Sequence, residues 1–148
     1  MIDVVLDTNT LASGAVATGG TIGTLFDAWF LDRFYGVILS DHILNELART
    51  LRKRYFNDRL SQDDLTMFQE RVRATARVVT VTPPIPTVLT SQADNVVLAT
   101  VQTAGVPYIV SGDREMQQLG QFQEIAILSP RAFLARLSHE AGWPRDPT

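Results

Sequence analysis

Four carboxylates far apart in the chain, Asp7, Glu46, Asp94 and Asp113, stand where carboxylates can do chemistry. Asp7 ends the apolar run Ile2-Asp3-Val4-Val5-Leu6 and is followed at once by Thr8-Asn9-Thr10. Asp113 follows a second such run, Ile109-Val110, after Ser111-Gly112. A carboxylate where a buried strand leaves the core lies between low dielectric and water, and its charge is costly there unless something pairs with it. Several carboxylates in one cleft repel, and some stay protonated without a cation. Magnesium or manganese would relieve that repulsion. Either ion also lowers the pKa of an attacking water and neutralises the charge that builds on a phosphodiester as it is hydrolysed, with one ion or two. Thr8, Asn9 and Ser111, beside the acids, are suitable donors to orient ligating oxygens. Each acid also has a plainer reading. An aspartate at a strand end is most often a helix cap or turn former, and Asp94 is well placed as an N-cap. Glu46 lies on the border of its helix's apolar stripe, where a solvated flank is an equal alternative.

Composition narrows the chemistry. The 148 residues, 45% hydrophobic, fit one globular domain, expected over residues 1–140 with a flexible tail at 141–148. The absence of cysteine excludes disulfides, thiolate zinc sites and cysteine nucleophiles, and two histidines cannot build a histidine-rich site. Any metal should therefore be a hard cation held by oxygens. The start of the chain does not read as a signal peptide. The longest charge-free run, Thr8 to Phe26, carries four glycines and five threonines and is no membrane span. A cytoplasmic chain is the expectation. The net charge of −3 argues weakly against a nucleic-acid partner. Against it stand Arg49, Arg52, Lys53 and Arg54, although cations at a helix C-terminus also complement its dipole.

The elements that must position these residues alternate. After the opening strand, 12–23 is small and glycine-rich and reads as a loop. Leu25, Phe26, Trp29 and Phe30 predict a helix over 24–34. Gly36 to Leu39 is a second strand, and Ser40 caps a helix whose apolar stripe is Ile43, Leu44, Leu47 and Leu51. Ser61 starts a further helix, and Val78 to Val81 reads as a third strand running into Thr82-Pro83-Pro84-Ile85-Pro86, where helix is forbidden. Asp94 opens a helix to Ala104, stopped by Gly105. Val106 to Val110 is a fourth strand, a short helix follows to Leu119, Glu124 to Leu128 is a weak fifth strand, and Pro130 starts the last helix. Strands alternating with helices imply a mostly parallel sheet covered on both faces. In such sheets ligands gather outside the C-terminal strand ends. Asp7 and Asp113 project to that edge, and the helices carrying Glu46 and Asp94 leave from it.

The motifs Val5-Leu6-Asp7-Thr8-Asn9, Ile38-Leu39-Ser40 leading to Glu46-Leu47, Asp94-Asn95-Val96-Val97-Leu98-Ala99-Thr100, and Ile109-Val110-Ser111-Gly112-Asp113-Arg114-Glu115 resemble, in order and spacing, those of PIN domains. The nearest branch resembles the VapC-type toxins of prokaryotic toxin–antitoxin pairs, over Ile2 to about Leu134. The resemblance implies a three-layer α/β/α sandwich whose central, mainly parallel sheet has four to five strands. It also implies a metal-dependent endoribonuclease in which Asp7, Glu46, Asp94 and Asp113 hold magnesium or manganese, supported by Asn9 and Ser111. It further implies a homodimer, a small antitoxin partner and an RNA substrate. In that light Arg49, Arg52, Lys53 and Arg54 become candidates to hold the RNA backbone. Tyr55 and Phe56 could stack on bases or close the core, and the aromatic helix could be core or an apolar interface.

The related branch usually has an acid-rich run before the third motif and a second acid after its aspartate. Here the run is Thr90-Ser91-Gln92-Ala93 and the neighbour is Asn95. That departure implies weaker metal binding or one ion instead of two, and it leaves open a PIN-fold binding or regulatory protein with little nuclease activity. Glu115 could compensate, but a first-turn acid favourable to a helix dipole is the preferred reading. A haloacid-dehalogenase-type phosphatase would need an acid at Asn9 and a lysine after a later strand, and Lys53 is the only lysine. A phospho-acceptor domain lacks its lysine for the same reason.

Overall fold

The structure, a computed structural model, describes residues 1–144. Along the chain run β1 (Asp3–Leu6), α1 (Thr8–Val16), α2 (Gly20–Phe30), β2 (Gly36–Ser40), α3 (Asp41–Thr50), α4 (Arg54–Asn57) and α5 (Gln62–Thr75). Then come β3 (Arg77–Val79), α6 (Gln92–Ala104), β4 (Tyr108–Val110), α7 (Arg114–Leu119), β5 (Gln121–Phe122), β6 (Ile125–Leu128) and α8 (Pro130–Ala141). The strands form one sheet in the order β3-β2-β1-β4-β6-β5, parallel except for the β5–β6 pair. Successive residues of a strand point to opposite faces, yet Val4, Val5 and Leu6 are all fully buried, as are Ile109 and Val110. Both faces of the sheet are therefore covered by helices, which makes three layers, α/β/α.

The order in which strands are laid down reverses beside β1. The path steps outward from β1 to β2 to β3, then returns through α6 to β4 on the other flank of β1. The strand ends of β1 and β4 thus border a topological switch point, the crevice where open α/β sheets bind ligands. The register Leu6↔Val110 and the bond from the Asp7 N–H to the Val110 carbonyl (3.2 Å) hold these two ends level.

Local sequence accounts for most helix ends. Ser40, Ser61, Ser91 and Ser129 each accept an N–H of the first turn of the helix that follows, and Ser61 completes a capping box with Asp64. Gly105 stops α6 in the left-handed region, with φ 67°.

Four expectations need correction. The stretch 12–23 is not a loop: α1 starts directly after Asp7 and buries Leu11 and Ala12, and α2 begins at Gly20. Gly14 serves close packing, since a Cβ there would run into the Phe26 ring, whereas Gly19 and Gly20 lie where α1 gives way to α2 and a Cβ on either would meet nothing within 4 Å. The N-cap of α6 is Ser91, which leaves Asp94 in the first turn. The sheet has six strands, because the two-residue β5 folds back on β6; a pair that short carries no periodic signal. The chain after α8 is packed as far as it is described: Trp143 lies against Phe34 with centroids 6.5 Å apart and donates to Asp32 at 3.5 Å. Residues 145–148 of the expected flexible tail lie outside the described residues. The rings of α2 form core: Phe26, Trp29 and Phe30 interlock with Phe68 of α5, with Arg71 over Phe30 at 4.4 Å. Among the described residues no helix is long and apolar enough to cross a membrane.

Candidate metal centre

Asp7 is the N-cap of α1 as well as the end of β1. Its Oδ1 accepts the Thr10 N–H at 2.9 Å, and its Oδ2 accepts the Ser111 hydroxyl in a short hydrogen bond. Ser111, buried at the end of β4, also accepts the Asp113 N–H at 3.0 Å. Asp113 in turn caps α7, taking the Met116 N–H at 3.1 Å. One chain of hydrogen bonds therefore runs Asp7–Ser111–Asp113 across the switch point. Asp7 is 2% exposed. Burial, opposed by its bonds to Ser111 and Thr10 and reinforced by the charge of Asp113, pushes its pKa up.

Asp94 approaches from α6. Its pKa is pushed up to about 6 by burial and then by the negative charges of Asp113, Asp7 and Glu115. Three of the four predicted acids thus share one electrostatic environment, and Glu115 joins them. Glu46 is set apart. It is half-exposed and paired with Arg49, on the wall of a cleft of about 330 Å³ that is also lined by Thr8, His42, Ile85 and Gln92. Thr8 reaches that cleft, whereas Asn9 is exposed and lines a second groove beside Asp113. Neither side chain hydrogen-bonds a carboxylate among the described residues. Ser111 is the one predicted polar neighbour that does.

The four predicted RNA-binding cations divide. Arg49 is bound to Glu46, and Arg54 pairs with Asp58 at 3.5 Å. Arg52 and Lys53 are exposed with no side-chain partner among the described residues. Phe56 is buried, and Tyr55 is 52% exposed with Arg59 stacked 3.6 Å above its ring centroid.

Two supporting residues were not assigned these roles from sequence. Asn95, where the related branch carries an acid, is buried and binds Leu89 through both ends of its amide, accepting the Leu89 N–H (2.8 Å) and donating to the Leu89 carbonyl (2.9 Å). Glu115 lies in the first turn of α7, as a helix dipole favours, and also accepts the Thr90 N–H at 2.7 Å. Together they fasten the proline-rich connection to the two helices that carry Asp94 and flank Asp113. An amide directly after Asp94 was the visible signal, but its use for the backbone six residues earlier depends on the fold.

Among the described residues no group of three or more acids or histidines is placed to hold an ion as the side chains stand. The donor set still fits a hard divalent cation. It consists of carboxylate oxygens, and the pKa values of Asp7 and Asp94 are raised first by burial and then by neighbouring carboxylates, a charge a cation would stabilise.

The family model for the PIN domain matches residues 3–115. No curated protein sequence matches the chain. Among solved structures, VapC20 of Mycobacterium tuberculosis, described as a sarcin-ricin loop cleaving toxin, is similar with a TM-score of 0.57 and 20% identity, over 83% of this chain and 98% of that one. VapBC2 of Rickettsia felis, bound to a promoter DNA fragment, is similar at 0.61 and 9% identity, over 86% and 98%. FitAcB of Neisseria gonorrhoeae gives 0.55 and 14%, over 86% and 98%. At these identities the structures speak to the fold, and the match of the family model over most of the chain places the protein in the PIN domain family.

Proposed function

We propose that this protein is a divalent-metal-dependent endoribonuclease, the toxin of a toxin–antitoxin pair. The observation that carries the reading is the set of mutually repelling carboxylates, Asp7, Asp94 and Asp113, at the switch point of a PIN fold. Asp7, Asp94 and Asp113, with Glu46, would hold magnesium or manganese, which when bound lowers the pKa of an attacking water and offsets charge on the scissile phosphate. The chain supplies the rest. Ser111 and Thr10 fix the Asp7 carboxylate by binding both oxygens. Asn95 and Glu115 hold the connection over the Asp94 side. Arg52 and Lys53 attract the RNA backbone towards an edge that otherwise repels phosphate. VapC20, of similar fold, is described as a sarcin-ricin loop cleaving toxin, which supports a nuclease toxin reading here. A small antitoxin, a homodimer and a cytoplasmic setting complete the reading.

The test is cleavage of single-stranded RNA by purified protein. Cleavage is expected with magnesium or manganese, and it should vanish with EDTA and in Asp7→Asn. Cleavage that survives either change overturns the proposal. One observation favours a second reading, a PIN-fold binding protein: the acids as placed do not close round an ion. RNA binding without cleavage, at any manganese concentration, would select it.

A further inference from the structure

The carboxylate edge is flanked by two concave surfaces. One is the cleft of about 330 Å³ that contains Glu46 and Arg49. The other, of about 360 Å³, lies on the opposite side, lined by Asn9, Thr10, Ser13, Gly112, Asp113 and Arg114. The two meet at the first turn of α1, since Thr8 lines the first while Asn9 and Thr10 line the second. Asp7 lies under that turn as its cap. The turn is therefore a saddle between two grooves, with Asp7 buried beneath it and Asp113 on the wall of the second.

The second groove has the chemistry of a nucleic-acid backbone site. Asn9 offers an amide, Ser13 a hydroxyl and Arg114 a guanidinium, all three on exposed residues. Arg114 has no ion-pair or hydrogen-bond partner among the described residues, although it directly follows Asp113. A Cβ on Gly112 would meet nothing within 4 Å, so the backbone there is open to a close-lying strand. An acidic edge cannot hold a polyanion from one side alone, because the part of the strand beyond the acids would be repelled unless a cation meets it.

We propose that this groove is a second strand-binding subsite, in which Arg114 holds a phosphate of single-stranded RNA that runs from the Glu46 cleft over the first turn of α1. The path rests on the ribonuclease reading for its substrate, but it makes a separate claim. One strand occupies both grooves, with Arg49 on the wall of the first and Arg114 on the wall of the second.

The experiment is equilibrium binding of a labelled single-stranded 12-nucleotide RNA to the full chain, across a range of salt, in EDTA and again in calcium. Arg114→Ser should lower the slope of log K against log salt by about 0.7, the loss of one phosphate contact to a single strand, and weaken binding about fivefold to tenfold at low salt. Arg114→Lys should keep the slope. Arg77→Ser, an exposed cation on the edge strand β3 outside both grooves, should change neither quantity. The losses from Arg49→Ser and Arg114→Ser should add, at one strand per chain. An unchanged slope in Arg114→Ser, an equal loss in Arg77→Ser, two strands per chain, or no binding in either condition each overturns the proposal. Arg114-dependent binding by a chain that cuts no RNA in manganese would leave the subsite standing and defeat the nuclease reading. Cutting without an Arg114 effect would do the reverse.

Discussion

Both oxygens of the Asp7 carboxylate are already hydrogen-bonded, one to the Thr10 N–H and one to the Ser111 hydroxyl, and each oxygen retains a further lone pair for a cation. Capping and metal binding are thus compatible uses of one side chain. Ser111→Ala removes the hydroxyl that joins Asp7 to Asp113. It should weaken manganese binding about 10–100-fold, as loss of an orienting partner does, and cost about 2 kcal/mol by leaving a buried carboxylate oxygen unpaired; calorimetric titration and urea melts read the two effects. Asp94 gives a pH signature. Its pKa, raised to about 6 from the usual 3.8, means that between about pH 4 and 6 the folded chain binds more protons than the unfolded one. In metal-free protein this contribution therefore makes stability fall as pH rises through that window, and the penalty is fully present above it. Solvent at the half-exposed site reduces the effect to the order of a few degrees in Tm. Comparison with Asp94→Asn, measured in EDTA from pH 4 to 7, should show the wild-type decline and its absence in the variant. Parallel curves would refute the account.

At the scale of elements, the connection between β3 and α6 is held by few groups, which makes them individually important. Asn95 ties it at Leu89, Glu115 at Thr90, and Thr103 at the Thr82 N–H. Asn95→Ala leaves the buried N–H and carbonyl of Leu89 unpaired and should cost about 3 kcal/mol, with faster amide exchange confined to residues 82–91. Asn95→Asp restores the accessory acid of the related branch but cannot donate to the Leu89 carbonyl, so it should also be less stable than wild type. If Asn95→Asp proved as stable as wild type, the clamp would be of no consequence. The pairing of α1 with α2 depends on Gly14. A methyl there meets the Phe26 ring, so Gly14→Ala should destabilise by about 1–3 kcal/mol through overpacking despite its better helix propensity. A thermal melt of that variant decides which effect wins.

For the whole molecule, an ion that binds the folded chain alone stabilises it by mass action, by about 2.7 kcal/mol at 100 times the dissociation constant. Manganese should therefore raise the Tm of the wild type and leave Asp7→Asn unmoved. A Tm that ignores manganese in both would argue for the binding-protein reading. Residue types and spacing were enough to read the alternation of strands and helices, the serine that opens α3 and the glycine that stops α6, because capping and hydrophobic period are local. Gly14 misled, since a glycine that breaks a helix, as Gly19 does, and one that admits a neighbouring ring are identical in sequence. The cap of Asp94 was misplaced by three residues because Ser91 and Asp94 are both good caps and packing chose between them. What the sequence alone determined is which residues carry charge and that Asp7 and Asp113 follow strands ending at the same edge. Only the tertiary structure decided that β1 and β4 are neighbours at a switch point, that Ser111 links Asp7 to Asp113 while Glu46 stands apart with Arg49, and that Asn95 and Glu115 anchor a distant loop. Apart from the Glu46–Arg49 pair, three residues apart on one helix, those contacts join residues 6 to 104 positions apart, and their geometry is fixed by sheet order and helix packing, which no local pattern encodes.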